Sequence, residues 1–171
     1  MFFSKPSRSL VMVLAVAAAP AAFAGDTVRL NCPAGTVRKE HKKEAVYCVK
    51  AQAAAGEPKN HGPYVDLHPN GKKMAEGQYQ DGFRSGLWTF WDANGAKAGE
   101  MNFSGGSYHG TRIEYHANGQ KKLEQQWNQG KREGLSVAYS EDGQKVAESH
   151  FQADHVVKEQ RFENGKPVAS K

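Results

Sequence analysis

Glutamate recurs at Glu76, Glu100, Glu124 and Glu148, and lysine at Lys73, Lys97, Lys121 and Lys145, each series stepping by 24 residues. Paired carboxylates can act as acid and base in glycoside hydrolysis, but they need a cleft and one perturbed acid. Equivalent positions of a hairpin repeat lie two strands apart, about 9–10 Å. A ladder at that spacing offers neither a cleft nor a shifted acid. It reads as a solvated face that keeps a sheet soluble, with docking of an ionic partner as the functional alternative.

The seven histidines fare no better as metal ligands. His68, Asp92 and His116 share one repeat position. Their two-strand spacing is too wide for a metal whose ligands sit about 2 Å from it. Neither a His-Glu-x-x-His, a Gly-x-Ser-x-Gly nor a phosphate-loop motif occurs. No catalytic residue, metal or cofactor is therefore expected, and the chain reads as non-enzymatic. Cys32 and Cys48 are the two cysteines. In an exported chain an even number reads as a disulfide. The spacing does not suit a Cys-x-x-Cys motif, and no nearby histidine pair completes a zinc site.

Export is expected from the first 24 residues. Lys5 and Arg8 give a basic start, Leu10 to Ala19 is apolar, Pro20 breaks the run, and Ala22-Phe23-Ala24 precedes Gly25 with small residues at −3 and −1. The apolar run is too short to span a bilayer as a stable helix. The reading is a signal peptide cleaved near Ala24, an uncleaved anchor being the alternative, and a periplasmic or secreted product. The chain's formal charge of +5 falls by two once Lys5 and Arg8 are removed. The remaining bases are interspersed with acids, which disfavours nucleic-acid binding.

Glycine sets the organisation that holds these residues. Gly62, Gly86, Gly110 and Gly134 keep the same 24-residue period. Asn70-Gly71, Asn94-Gly95, Asn118-Gly119 and Asp142-Gly143 follow them as turn dipeptides, and Asp81-Gly82, Gly105-Gly106 and Gln129-Gly130 mark a second turn. The predicted fold is all-β: an elongated antiparallel meander of four β-hairpin repeats over residues 62–157. Residues 25–50 form a disulfide-containing N-terminal cap with strand-like pieces near Thr36–Arg38 and Ala45–Val49. Residues 51–61 are a linker. Residues 158–171 are a C-terminal half repeat and tail, resembling the segment Lys122–Lys131 and supplying a last strand.

Two columns of bulky side chains are the expected core: Leu67, Trp91, Tyr115 and Tyr139 five residues after each glycine, and Tyr79, Phe103, Trp127 and Phe151 seventeen after it. In the first strand of each repeat the alternation Leu87, Thr89, Trp91 marks the apolar face. Tyr64 and Trp88 have the opposite parity, which predicts exposure. With Lys72, Lys73, Arg84, Lys131 and Arg132 they make the candidate contact surface.

The segment Gly86-Leu-Trp-Thr-Phe-Trp-Asp-Ala-Asn-Gly95 resembles the Gly-x-Trp-x-x-Tyr-x-x-Asn-Gly core of MORN-repeat variants. Gly62-Pro-Tyr-Val-Asp-Leu-His-Pro-Asn-Gly71 does too, and the later copies follow more loosely, with Arg112 and Ser136 where Tyr64 and Trp88 stand. The resemblance runs from Gly62 to about Gly165, and bacterial proteins of this kind are grouped as YwqK-type antitoxins. It implies a β-hairpin array used for protein or lipid contact. The expected function is a non-catalytic scaffold that contacts a protein partner in the cell envelope. Lipid or glycan contact and toxin inhibition are the alternatives.

Overall fold

A computed structural model describes residues 28–51 and 56–168; the expected signal peptide, part of the linker and the last three residues lie outside them. The described residues form one twelve-stranded sheet in which every strand pairs with its sequence neighbours. The strands are β1 (Thr36–His41), β2 (Ala45–Lys50), β3 (Asn60–Leu67), β4 (Lys73–Gln80), β5 (Phe83–Trp91), β6 (Lys97–Ser104), β7 (Ser107–Tyr115), β8 (Lys121–Asn128), β9 (Lys131–Tyr139), β10 (Lys145–Gln152), β11 (His155–Glu163) and β12 (Lys166–Val168). All pairings are antiparallel, and β1 and β12 are the edges of an open meander. The four repeats supply β3 to β10 as successive hairpins.

The two kinds of turn do different work. Asp81-Gly82, Gly105-Gly106 and Gln129-Gly130 hold positive φ at both residues, as two-residue hairpins require. At the Asn-Gly dipeptides glycine alone has positive φ. Those turns are longer loops: His68 N–H bonds the carbonyl of Lys72 while Gly71 N–H bonds that of His68. Asn70 serves through its side chain, whose Oδ1 accepts from Lys72 N–H.

The periodic glycines sit inside strands, not in turns. Gly62, Gly86, Gly110 and Gly134 all have positive φ. Each falls where its strand carries extra residues against its neighbour. Between the pairs Met101↔Arg112 and Phe103↔Tyr108, β6 advances two residues and β7 four. The same two-against-four mismatch recurs at β2–β3, β4–β5 and β8–β9. The 24-residue period is thus a period of β-bulges, which bend the strand and strengthen its twist. Lys158 stands one period after Gly134, and there the mismatch shrinks by a residue.

Burial corrects the parity expected of the first strands. Trp88 pairs with Met101, and Tyr64 with Gly77. The residue two after each glycine therefore shares a face with the aromatic column seventeen after it. Trp88 is fully buried, not exposed, and Leu87 is the exposed neighbour at 51%. Ala75, Trp88, Met101 and Phe103 form the buried cluster, with Tyr64, Tyr79, Phe90 and Trp127 packed around it. Trp88 lies over Gly77, where a β-carbon would come within 2.4 Å of the indole.

At the N-terminal end Cys32 and Cys48 are joined in a disulfide, and Ala45, Val46, Cys48, Val49 and Val65 are buried. Pro33 occupies the space a β-carbon on Gly62 would need, 2.7 Å from its ring. This segment is thereby pinned on the first repeat, and β2 continues directly into the sheet through its pairing with β3.

Two glycine substitutions separate backbone strain from packing. Nothing lies near an added β-carbon at Gly86, so Gly86→Ala meets only its positive φ, an expected loss of about 1–2 kcal/mol. Gly77→Ala should cost about 3 kcal/mol, the scale of losing a large core aromatic, and should shift tryptophan emission. Urea unfolding measures both. Equal losses would show that Trp88 does not depend on its glycine seat.

Candidate interaction faces of the sheet

A single sheet has two faces, and the repeat pattern gives them different chemistry. On one face a line of rings crosses the strands. Tyr47, Tyr64, Tyr79, Trp88, Phe103, Tyr108 and Trp127 come one each from β2 to β8, with successive centroids 4.9–6.1 Å apart. Arg84 stacks 4.2 Å from the Trp88 ring centre and also faces Phe103. Arg132 pairs with Trp127 across β8–β9 and stacks 4.3 Å from the centre of Phe151, carrying the line to β10. Such cation–π contacts contribute about 0.5–2 kcal/mol each.

The composition of this face changes along the array. The position held by Tyr64 and Trp88 becomes Arg112 and then Ser136. Arg112 forms an ion pair with Glu114, and Gln125 Nε2 donates to Ser136 Oγ at 3.2 Å, both residues being buried. Close to the first repeat, burial raises the Asp66 carboxyl, against the hydrogen bond it receives from Tyr64. Burial, with Asp66 beside it, pushes the Tyr64 phenol up to about 12. A cavity of about 410 Å³ opens at the change from aromatic to polar, its lining including Phe90, Gly99, Met101, Tyr108, Arg112 and Glu114.

The opposite face carries the glutamate ladder. Each carboxylate is bound within its own repeat: Lys73–Glu76 at 2.6 Å, Lys97–Glu100, Lys121–Glu124 at 2.8 Å and Lys145–Glu148 at 2.8 Å. An aromatic from the next strand lies over three of the lysines. Lys73 is 5.8 Å from the Trp91 centroid, Lys97 5.1 Å from Tyr115, and Lys145 4.7 Å from Phe162. Tyr115 Oη also donates to Glu100 at 3.0 Å. Trp91 and Tyr115 thus shield ion pairs, half-buried, apart from the aromatic cluster. Leu67 and Tyr139 are likewise half-buried.

Two of the histidines join loops. His68 Nε2 is 2.9 Å from the carbonyl of Trp91, and His116 Nε2 is 2.9 Å from that of Tyr139. Asn70 and Asn118 donate across the same gaps to the carbonyls of Ala93 and Glu141. In the intervening repeat Asp92 instead closes its own loop, accepting from Asn94 and Ala96 N–H. Among the described residues no three His, Cys, Asp or Glu side chains are grouped as a metal site would need.

The seven residues of the candidate contact surface do not converge. Trp88 is core and Tyr64 is half-buried beside it. Lys72 and Lys73 lie at the Asn-Gly end of the strands, where Lys72 Nζ bonds the carbonyl of Asn94. Arg84, Lys131 and Arg132 lie at the other end, next to the two-residue turns. Arg132 is held by Asp154 at 3.1 Å and Lys131 is exposed. Sequence reasoning did not single out Tyr47, Phe90, Met101, Tyr108 or the Arg112–Glu114 pair. Their signal was positional: Tyr108 falls in the Arg84–Arg132 column, one period from each.

Fold and faces together define an open β-hairpin repeat protein. Two stretches, residues 60–81 and 108–129, match the family described as MORN repeat variant. No curated protein matches. Among solved structures, an S. aureus TarM mutant in complex with fondaparinux, alpha-GlcNAc-glycerol and UDP is similar at 12% identity and a TM-score of 0.40, covering 75% of this chain and 21% of that one. A second TarM structure is similar at 10% identity and a TM-score of 0.31, covering 68% and 20%. The chain thus spans about a fifth of those proteins.

Acid should unfold the array through its paired carboxylates. Glu100 is held below the usual carboxylate range by the hydrogen bond from Lys97, Glu148 by that from Lys145, and Asp154 by the backbone N–H of Arg132. A folded pKa below the unfolded one gives stability that is present above the unfolded value and lost as pH falls through the folded one. Asp66, raised by burial, works in the opposite sense but is outnumbered. The melting temperature should hold from neutral pH to about 5 and fall below about 4. Lys97→Met should shrink the difference between the two ends. An unchanged difference would show that this pair adds nothing to folding.

Proposed function

We propose that this protein is an exported, non-catalytic repeat scaffold that makes protein–protein contact in the cell envelope. The observation that carries the reading is the single open sheet, whose two faces both remain available and whose surface keeps Phe83, Leu87, Leu135, Val156 and Val157 exposed. Apolar side chains on an otherwise charged repeat surface are what partner binding uses. Export is supported by the basic, apolar and small-residue sequence of residues 1–24, and by a disulfide, which persists in oxidising compartments. A YwqK-type antitoxin role is a narrower form of the same reading and needs a toxin in that compartment.

In-cell crosslinking of the tagged protein, with mass spectrometry of what co-purifies, tests this. One recurrent protein at near-equal yield is expected, and Leu87→Glu or Leu135→Glu should reduce its recovery. Recovery of the chain alone from a membrane fraction would overturn the scaffold reading.

A further inference from the structure

We propose that the notch at Gly99 is a sugar-binding site, which takes one ring of a neutral glycan between Phe90 and Tyr108 and against the Arg112–Glu114 pair. The notch exists because one position of the repeat is empty. Thirteen residues after the repeat glycine stand Ala75, Gly99, Leu123 and Ala147. Leucine or alanine fills the face in the other repeats, and glycine leaves it open in the second. Close approach of the neighbouring strand requires glycine at this position: a β-carbon on Gly99 would lie 2.8 Å from the Ile113 carbonyl oxygen.

The walls suit a sugar. Phe90 is half-buried and Tyr108 is 40% exposed, giving rings that an apolar sugar face can cover, while Met101 closes the floor. Arg112 and Glu114 supply donors and acceptors side by side. Because the charges of Arg112 and Glu114 already cancel, a charged ligand would have to separate that pair, and the exposed Lys122 in the same lining adds one further donor. A neutral polyol can accept from the guanidinium and donate to the carboxylate while the pair stays together. The volume of about 410 Å³ falls within the range of small-ligand sites. Neither neighbouring repeat reproduces the arrangement. In the first, Asp66 takes the place of Phe90, and in the third Ser136 takes that of Arg112.

The proposal does not rest on the scaffold reading and survives its failure, which crosslinking judges. Its own test is a titration of the isotope-labelled protein, followed by amide chemical shifts, with cellotetraose, maltotetraose and chitotetraose. The expected result is saturable binding by at least one of them, with shifts confined to the strands around Gly99, Tyr108 and Glu114. Glu114→Gln and Tyr108→Ala should each weaken it about tenfold, while Tyr47→Ala, on the same face in β2, should leave it unchanged. Dispersed spectra of the variants show that each has folded. Absence of saturable shifts with all three glycans would overturn the proposal. So would shifts scattered over the surface or undiminished in Glu114→Gln.

Discussion

A sheet with no second layer has to make a core out of its own face, and here stacked rings do it. The twelve strands pair in order, and no other layer appears among the described residues. Apolar burial must come from side chains lying against one another along the sheet. Large rings do this best, because each brings 150–250 Å² of surface and still gains from tilted or edge-on contact. The line from Tyr47 to Trp127 takes one ring from each of seven strands. Trp88 can be fully buried because its neighbours surround it and Gly77 lets it lie flat.

The second face answers the same constraint with charge. An uncovered sheet must resist pairing or stacking with others, and lysine is a common device. Each lysine here is also held by a glutamate in its own strand and, in three of the four repeats, by an aromatic on the next. A surface ion pair alone contributes about 0–1 kcal/mol. Four in one register, three of them roofed by a ring, also fix the register between hairpins, as do the histidine and asparagine bonds between loops.

Much of this was legible in the sequence, and what was not has a definite cause. The glycine period and the turn dipeptides predict the hairpin meander, and the cysteine count predicts the Cys32–Cys48 bridge. The face of the first strands was not readable because Leu87-Trp88-Thr89-Phe90-Trp91 is apolar at both parities. Alternation cannot choose between them; pairing with Gly77 and Met101 does. The C-terminal half repeat shows a second limit. Its sequence aligns Phe162 with Trp127 of the ring line. The bulge on β11 is one residue shorter, which turns the following side chains over, and Phe162 packs on Lys145 of the charged face instead. A repeated sequence fixes spacing along the chain, whereas a bulge fixes which way the spacing points.

That dependence explains why the array is uneven. Where Tyr64 and Trp88 occupy the second position after the glycine, rings close over the sheet. Arg112 and Ser136 at the same position break the apolar face: Met101 still faces Arg112 from β6, but Gln125 lies across from both, and Ser149 across from Ser136. The substitution is therefore paired across strands, so buried donors and acceptors find each other. The Gln125–Ser136 bond is an example. An array that needed only to persist could have repeated the aromatic solution four times. This one keeps its apolar core in the first two repeats and sets polar groups against rings where the two halves meet. The junction at Gly99 is where recognition and packing chemistry share a boundary, and where a ligand can gain from both without dismantling either.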